Sequence, residues 1–251
     1  MTTCFVTQLG PISIAAADTR LSSDGSIGLP PSTWDSSDLP LSISNGNSYT
    51  LPYRFRKIRQ LCKGWAVIAG CFVTGDRMLA LLNREGVTSA EHAVRILNRS
   101  AGPELAALQS MSDVNDDEIH KSWLLGVPAT SDRTGVWKAH LDQSKGYTVS
   151  IEPQFAMNWP STISDLEKEA ALAAFCAACE SALGIPDFIR AAAALIGAAR
   201  SAPDSSSIAQ IGVTWQVDPT EFQARYFHGH VDEIAAMNSD DIVSRWEVLT
   251  P

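Results

Sequence analysis

Threonine at position 2, behind a removable Met1, would put a hydroxyl nucleophile and a free α-amine on one residue. An α-amine with an ordinary pKa of about 7.7 to 8 is partly unprotonated near neutral pH, so it can take the Oγ proton during attack on a carbonyl. Nucleophile and base then need no partner from elsewhere in the chain. A small residue at position 2 also simply permits Met1 removal, so Thr2 needs company before it reads as catalytic. Cys4 is a second nucleophile type close by, two residues on and on the same strand face, but it would become N-terminal only after trimming of Thr2 and Thr3. Cys176-Ala-Ala-Cys179 has C-x-x-C spacing in an Ala/Leu/Phe helical context with no second ligand pair, and reads as packing. His228 and His230 lack an acidic or cysteine partner and read as surface residues. His92, His120 and His140 have no Ser-His-Asp context. No metal or cofactor is expected.

The elements that would position this chemistry follow from periodicity and punctuation. Residues 2–8 and 12–17 are short apolar runs flanking Leu9-Gly10-Pro11 and predict an antiparallel hairpin. Residues 21–52 are rich in Ser, Gly, Pro, Asn and Asp and predict a long surface loop or insertion. A second hairpin is expected at 56–61 and 65–71, then a helix through Asn83 and another from Ser89, where Ser89 and Glu91 resemble a cap, with 103–111 continuing it. Strands are expected at 122–127, 135–141 and 147–151, and helices at 164–183 and 186–200, the second opening on a proline. Strands at 208–217 and 222–228 precede one closing helix at 232–246. Strands, helices, strands, helices, strands, helix is the order of antiparallel sheets between helical layers in a single domain, 1–251.

The 251 residues are 45% hydrophobic and 19% charged, with a net charge of -9. That composition suits a soluble globular chain, and its acidity argues against a nucleic-acid partner. The Ala-rich runs 170–178 and 191–199 are too short to cross a membrane, and the first residues lack a basic secretory n-region. A cytoplasmic protein is expected. Its five cysteines, an odd number scattered through apolar segments, suit reduced core thiols.

Several segments line up together: Thr2-Thr3 at the start, Ala16-Ala17-Asp18-Thr19-Arg20 ending the second strand, Arg56-Lys57-Ile58-Arg59 opening the third, Val67-Ile68-Ala69-Gly70 closing the fourth, and Ala202-Pro203-Asp204-Ser205-Ser206-Ser207 between a long helix and a strand. In this the chain resembles the proteasome β-subunit superfamily of N-terminal nucleophile hydrolases, including the bacterial HslV-like and ancestral-β-subunit proteins. The resemblance implies an α+β four-layer αββα sandwich and a threonine peptidase or amide hydrolase. By position, Thr2 would be the nucleophile, with Asp18 and Lys57 a buried pair beside it and Asp204 and Ser207 the late Asp-x-x-Ser that orients the amine. Gly70 would offer the oxyanion N–H. Arg20 and Phe72 are the substrate-side candidates, Phe72 and Val73 standing where the family has small residues. Ser161 or Ser164 would supply a further family serine. The resemblance also implies a homo-oligomeric ring or stacked assembly and leaves an ATPase partner unspecified. Two other readings stay open: a small-molecule amidase or acyltransferase of the same fold, and an inactive ring-forming subunit.

Overall fold

A computed structural model describes residues 3–22, 48–50, 56–70, 72–111, 122–129, 135–141, 146–200, 202, 205, 207–218 and 221–249, with side chains except at 20–22, 48–50, 72–73, 108–111 and 248–249. The first hairpin forms as expected: β1 (Cys4–Leu9) and β2 (Ile12–Asp18) pair from Cys4↔Ala17 to Leu9↔Ile12. Its two-residue turn carries Gly10 at φ +61°, the positive φ that primed hairpin turns require and glycine adopts without steric cost.

The segment expected as a long loop is closed at its base, because β3 (Arg20–Ser22) pairs with β4 (Ser48–Thr50). The second hairpin is β5 (Ile58–Leu61) and β6 (Gly64–Gly70). Helix α1 (Phe72–Arg84) follows immediately, and α2 (Ala90–Met111) starts where the Ser89 hydroxyl accepts the His92 N–H at 3.1 Å and runs through Pro103. Then come β7 (Ser122–Val127), β8 (Val136–Leu141), β9 (Thr148–Glu152) and β10 (Phe155–Asn158). Helices α3 (Asp165–Glu180) and α4 (Ile185–Gly197) lead into β11 (Ile208–Gln216) and β12 (Phe222–His230). The expected single closing helix is two, α5 (Val231–Ala236) and α6 (Ser239–Arg245), followed by β13 (Glu247–Leu249). Asn238 breaks it: its side chain accepts the Asp241 N–H at 2.9 Å and caps a new helix.

The strands form a six-stranded sheet in the order β10-β1-β2-β11-β12-β13 and a five-stranded sheet β5-β6-β7-β8-β9, beside the β3-β4 ribbon. All pairings are antiparallel. Three buried clusters define the layers. Cys4, Val6, Ala15, Ala17, Val67, Ala69 and Leu125 meet between the sheets. Phe5, Ile14, Ala16 and Ile211 pack outward on α3, α4, α5 and α6. Ala66, Ile68, Leu124 and Trp137 pack outward on α1 and α2. This is the αββα sandwich, and strict alternation along each central strand produces it.

The layers sit close because small residues stand where large ones press. A Cβ on Gly126 would lie 2.0 Å from the Trp137 indole, and Trp137 is fully buried. Gly126→Ala is expected to destabilise the protein by about 1–3 kcal/mol through overpacking, read as a lower midpoint in urea unfolding.

Candidate active site

Four chain segments meet at the Asp18 carboxylate. Asp18 ends β2, a central strand flanked by β1 and β11, so its side chain leaves the sheet inside the protein and is fully buried. Lys57 stands just before β5 in the other sheet and is 1% exposed; its Nζ donates to Asp18 Oδ1 at 2.7 Å. The second carboxylate oxygen accepts the Thr3 backbone N–H at 2.9 Å and the Ser205 hydroxyl at 3.2 Å. Thr3 Oγ1 and Ser205 Oγ lie 3.1 Å apart, while the Asp18 N–H donates back to the Thr3 carbonyl at 3.0 Å.

Local backbone structure holds each participant. The Lys57 N–H donates to the buried Gln210 side chain at 2.8 Å, and its carbonyl accepts the Ile68 N–H at 3.1 Å, so the strand before β5 is fixed to β11 and β6. Ser205 arrives through tight turns after α4: Ala202 N–H to Ala199 carbonyl and Ser205 N–H to Ala202 carbonyl, each 3.0 Å. A buried carboxylate is costly in isolation, and a lysine partner with two further donors compensates it.

The expected pair, Asp18 and Lys57, is thus brought together. Ser205 was not foreseen: the Asp-x-x-Ser spacing pointed to Ser207, whereas the hydroxyl on the Asp18 carboxylate belongs to the first of three consecutive serines. Ser207, half-buried before β11, accepts the Val231 N–H on its carbonyl at 2.8 Å. Thr2 and Asp204, and the side chains of Arg20, Phe72 and Val73, lie outside the described residues. Gly70 closes β6 with φ +93° and is exposed. Helix α1 starts two residues later, so the positive end of its dipole faces the same corner of the sheet. Ser164 caps α3, accepting the Glu167 N–H at 3.3 Å in a full capping box, and Ser161 is exposed.

The other candidates separate by environment. Cys4 is fully buried between the sheets, and burial pushes its thiol up to about 12, so it stays protonated and inert near neutral pH. Cys176 is exposed on α3, while Cys179 is half-buried with its thiol pushed up to about 11 by burial. His228 is held below its usual value, mainly by burial. Among the described residues there is no group of three His, Cys, Asp or Glu side chains able to hold a metal, and no helix is long and apolar enough to cross a membrane.

No protein-family model matches the chain, and no curated protein matches it in sequence. Solved structures do. BPH from Thiobacillus denitrificans, in complex with epoxomicin, aligns at a TM-score of 0.52 and 16% identity over 86% of this chain and 100% of that one. Anbu (ancestral beta-subunit) from Yersinia bercovieri aligns at 0.53 and 13% identity, over 96% of this chain and 95% of that one. The Gly-1 mutant of Anbu from Hyphomicrobium sp. strain MC1 aligns at 0.54 and 12% identity, over 97% of each chain. The chain therefore has the fold of the proteasome β-subunit-like N-terminal nucleophile hydrolases.

Two measurements follow from the burial of this site. Lys57→Met leaves the Asp18 carboxylate buried without its cation and is expected to cost about 3–5 kcal/mol, against about 1 kcal/mol for Ser205→Ala, both from urea unfolding. In the folded protein at pH 8, iodoacetamide is expected to modify Cys176 and spare Cys4, which reacts only after unfolding; peptide mass spectrometry reads both sites.

Proposed function

We propose that this chain is an N-terminal threonine hydrolase of peptide or amide bonds, exposed for catalysis by removal of Met1. The observation that carries this reading is the buried Asp18–Lys57 pair bonded to the Thr3 amide, one residue from the proposed nucleophile. In this proposal the Thr2 hydroxyl opens into the space between the sheets, which Cys4 and Val6 on β1 also face. There the Lys57 ammonium, neutralised in part by Asp18, favours the developing alkoxide of Thr2 Oγ while the Thr2 amine accepts the proton.

In this mechanism Thr2 Oγ attacks the substrate carbonyl, and the Gly70 N–H is the donor to the tetrahedral oxyanion. The intermediate collapses to an ester on Thr2 with loss of the amine, which takes the proton held by the α-amino group. Water, deprotonated by the same amine, then hydrolyses the ester. Asp204 and Ser207 orient the α-amine, and Ser205 fixes the Asp18 carboxylate and the Thr3 hydroxyl in place. Arg20 and Phe72 border the substrate. The likeness to Anbu and BPH supports assembly into a homo-oligomer, and the lack of any long apolar helix among the described residues suits a cytoplasmic location.

Intact-mass measurement is expected to show the chain beginning at Thr2. Epoxomicin, the compound held by the BPH structure, is expected to add to that residue. Thr2→Ala should abolish labelling and lower amide turnover by about a thousandfold or more. Retention of Met1 on the purified protein, or full turnover by Thr2→Ala, overturns the reading.

A further inference from the structure

The inner face of the five-stranded sheet carries three residues that the proposed chemistry does not use. Trp123 lies across from Ala69 on one side and His140 on the other in the β6-β7-β8 ladder, so the three side chains share a face. Ala69 belongs to the buried cluster between the sheets and Trp123 packs against it. Lys138, two residues before His140, points the same way. This row stands at the end of the sheet where β6 finishes in Gly70. Trp123, Lys138 and His140 are all half-buried, so solvent reaches the row.

The row is built rather than scattered. Trp123 and His140 stack with centroids 4.1 Å apart and planes 14° from parallel. Lys138 Nζ sits 4.4 Å from the Trp123 ring centroid and donates to the Met157 carbonyl on β10 at 2.9 Å. It thereby reaches across from one sheet to the other. Its ammonium lies near the buried Cys4 of β1, and the row stands at the sheet end that closes on Gly70.

Lys138 makes no ion pair with any carboxylate among the described residues. Glu152 on β9 attracts it without contact and instead accepts the Ser150 hydroxyl at 3.0 Å. An ammonium has three donors; one goes to Met157, and an aromatic face and a carbonyl are partial compensation for a cation that burial disfavours. The Asp18–Lys57 pair, three strands away across the sheet, is answered within itself, whereas Lys138 has no carboxylate in direct contact among the described residues. A substrate carboxylate there would complete a charge-assisted bond that solvent only partly screens.

We propose that Lys138, seated on Trp123 and flanked by His140, forms a specificity subsite for an acidic side chain of the substrate. This rests on the hydrolase reading for the word substrate, but the subsite can be tested without turnover. Isothermal titration of the mature protein compares N-acetylated, C-amidated Ala-Glu-Ala with Ala-Gln-Ala. The glutamyl peptide is expected to bind at least about tenfold more tightly, the scale of one charge-assisted hydrogen bond. That ratio should fall to about one in Lys138→Met and survive in Lys138→Arg. Raising salt from 0.05 to 0.5 M should shrink it. Equal affinity of the two peptides, no binding of either, or a ratio unchanged in Lys138→Met overturns the subsite. The wild-type comparison needs no variant, and the circular dichroism melt of Lys138→Met shows whether its loss reflects the side chain or the fold. Failure of epoxomicin to label Thr2 sinks the hydrolase reading while leaving the titration to decide the subsite. Labelling at Thr2 with no preference for glutamate sinks the subsite alone.

Discussion

The buried ion pair between Asp18 and Lys57 constrains everything around it. Removing two charges from water costs several kcal/mol per ion, and only a short contact with further hydrogen bonds offsets it. Here the contact is 2.7 Å, and the remaining carboxylate oxygen is served by a main-chain N–H and a hydroxyl. These donors come from the residue before β1, the residue before β5 and the turn before β11. All must arrive together, or a carboxylate is left buried without compensation. A one-residue slip of β2 against β11 would turn Asp18 to the other face and strand Lys57 between the sheets. The pair thus ties register in the six-stranded sheet to the placement of the five-stranded one.

Small side chains make that arrangement physically reachable. Ala15, Ala16 and Ala17 are completely buried on the two faces of β2, where a larger residue would hold the sheets or the helices further off. Gly212 on β11 lies under Trp65, with a hypothetical Cβ only 2.6 Å from the indole. One large ring therefore fills the gap that several small residues leave, the interdigitation that close packing demands. The sheets are near enough for Lys57 to span from one to the other, and for Lys138 to do so at the opposite edge through Met157.

Much of this was legible from residue types, and the departures have specific causes. The hairpins announce themselves by short apolar runs around Gly10-Pro11 and Lys63-Gly64, α1 and α2 by helical apolar spacing with a cap at Ser89, and α4 by its opening proline. Strand β10 was missed because four residues between prolines carry little alternation signal, and its existence depends on β1 offering an edge. Strand β13 is shorter still. The single closing helix divides at Asn238, whose side chain accepts the Asp241 N–H and caps a second one. At the site, the resemblance of residues 16–20 and 56–59 to the family's segments singled out Asp18 and Lys57, which stand in contact. The choice among Ser205, Ser206 and Ser207 was invisible, since it depends on the turns that carry the chain from Ala199 to Ser205. Lys138 was invisible for another reason: on β8 it reads as an ordinary strand-face lysine, and only sheet stacking gives it an aromatic seat and a carbonyl on the opposite layer.

The two lysines at this end of the sandwich therefore differ in what burial asks of them. Lys57 is wholly enclosed, and its charge is answered within the chain; replacing its partner changes folding before it changes chemistry. Lys138 is half-enclosed and touched by a carbonyl dipole and a π face, with Glu152 attracting it only at a distance, so the free energy of a direct carboxylate contact is left to a ligand. The chain as a whole carries a net charge of -9, which repels acidic molecules at distances beyond the screening length of about 10 Å at 0.1 M salt. Discrimination for an acidic group must then arise at contact range, where the local cation outweighs the distant excess of carboxylates because Coulomb energies fall with distance and solvent penetration rises. Long-range steering would predict faster association as salt is lowered; a contact subsite in an acidic protein gains affinity at low salt chiefly through slower dissociation. The half-burial of Lys138 is what makes that contact term larger than the general repulsion.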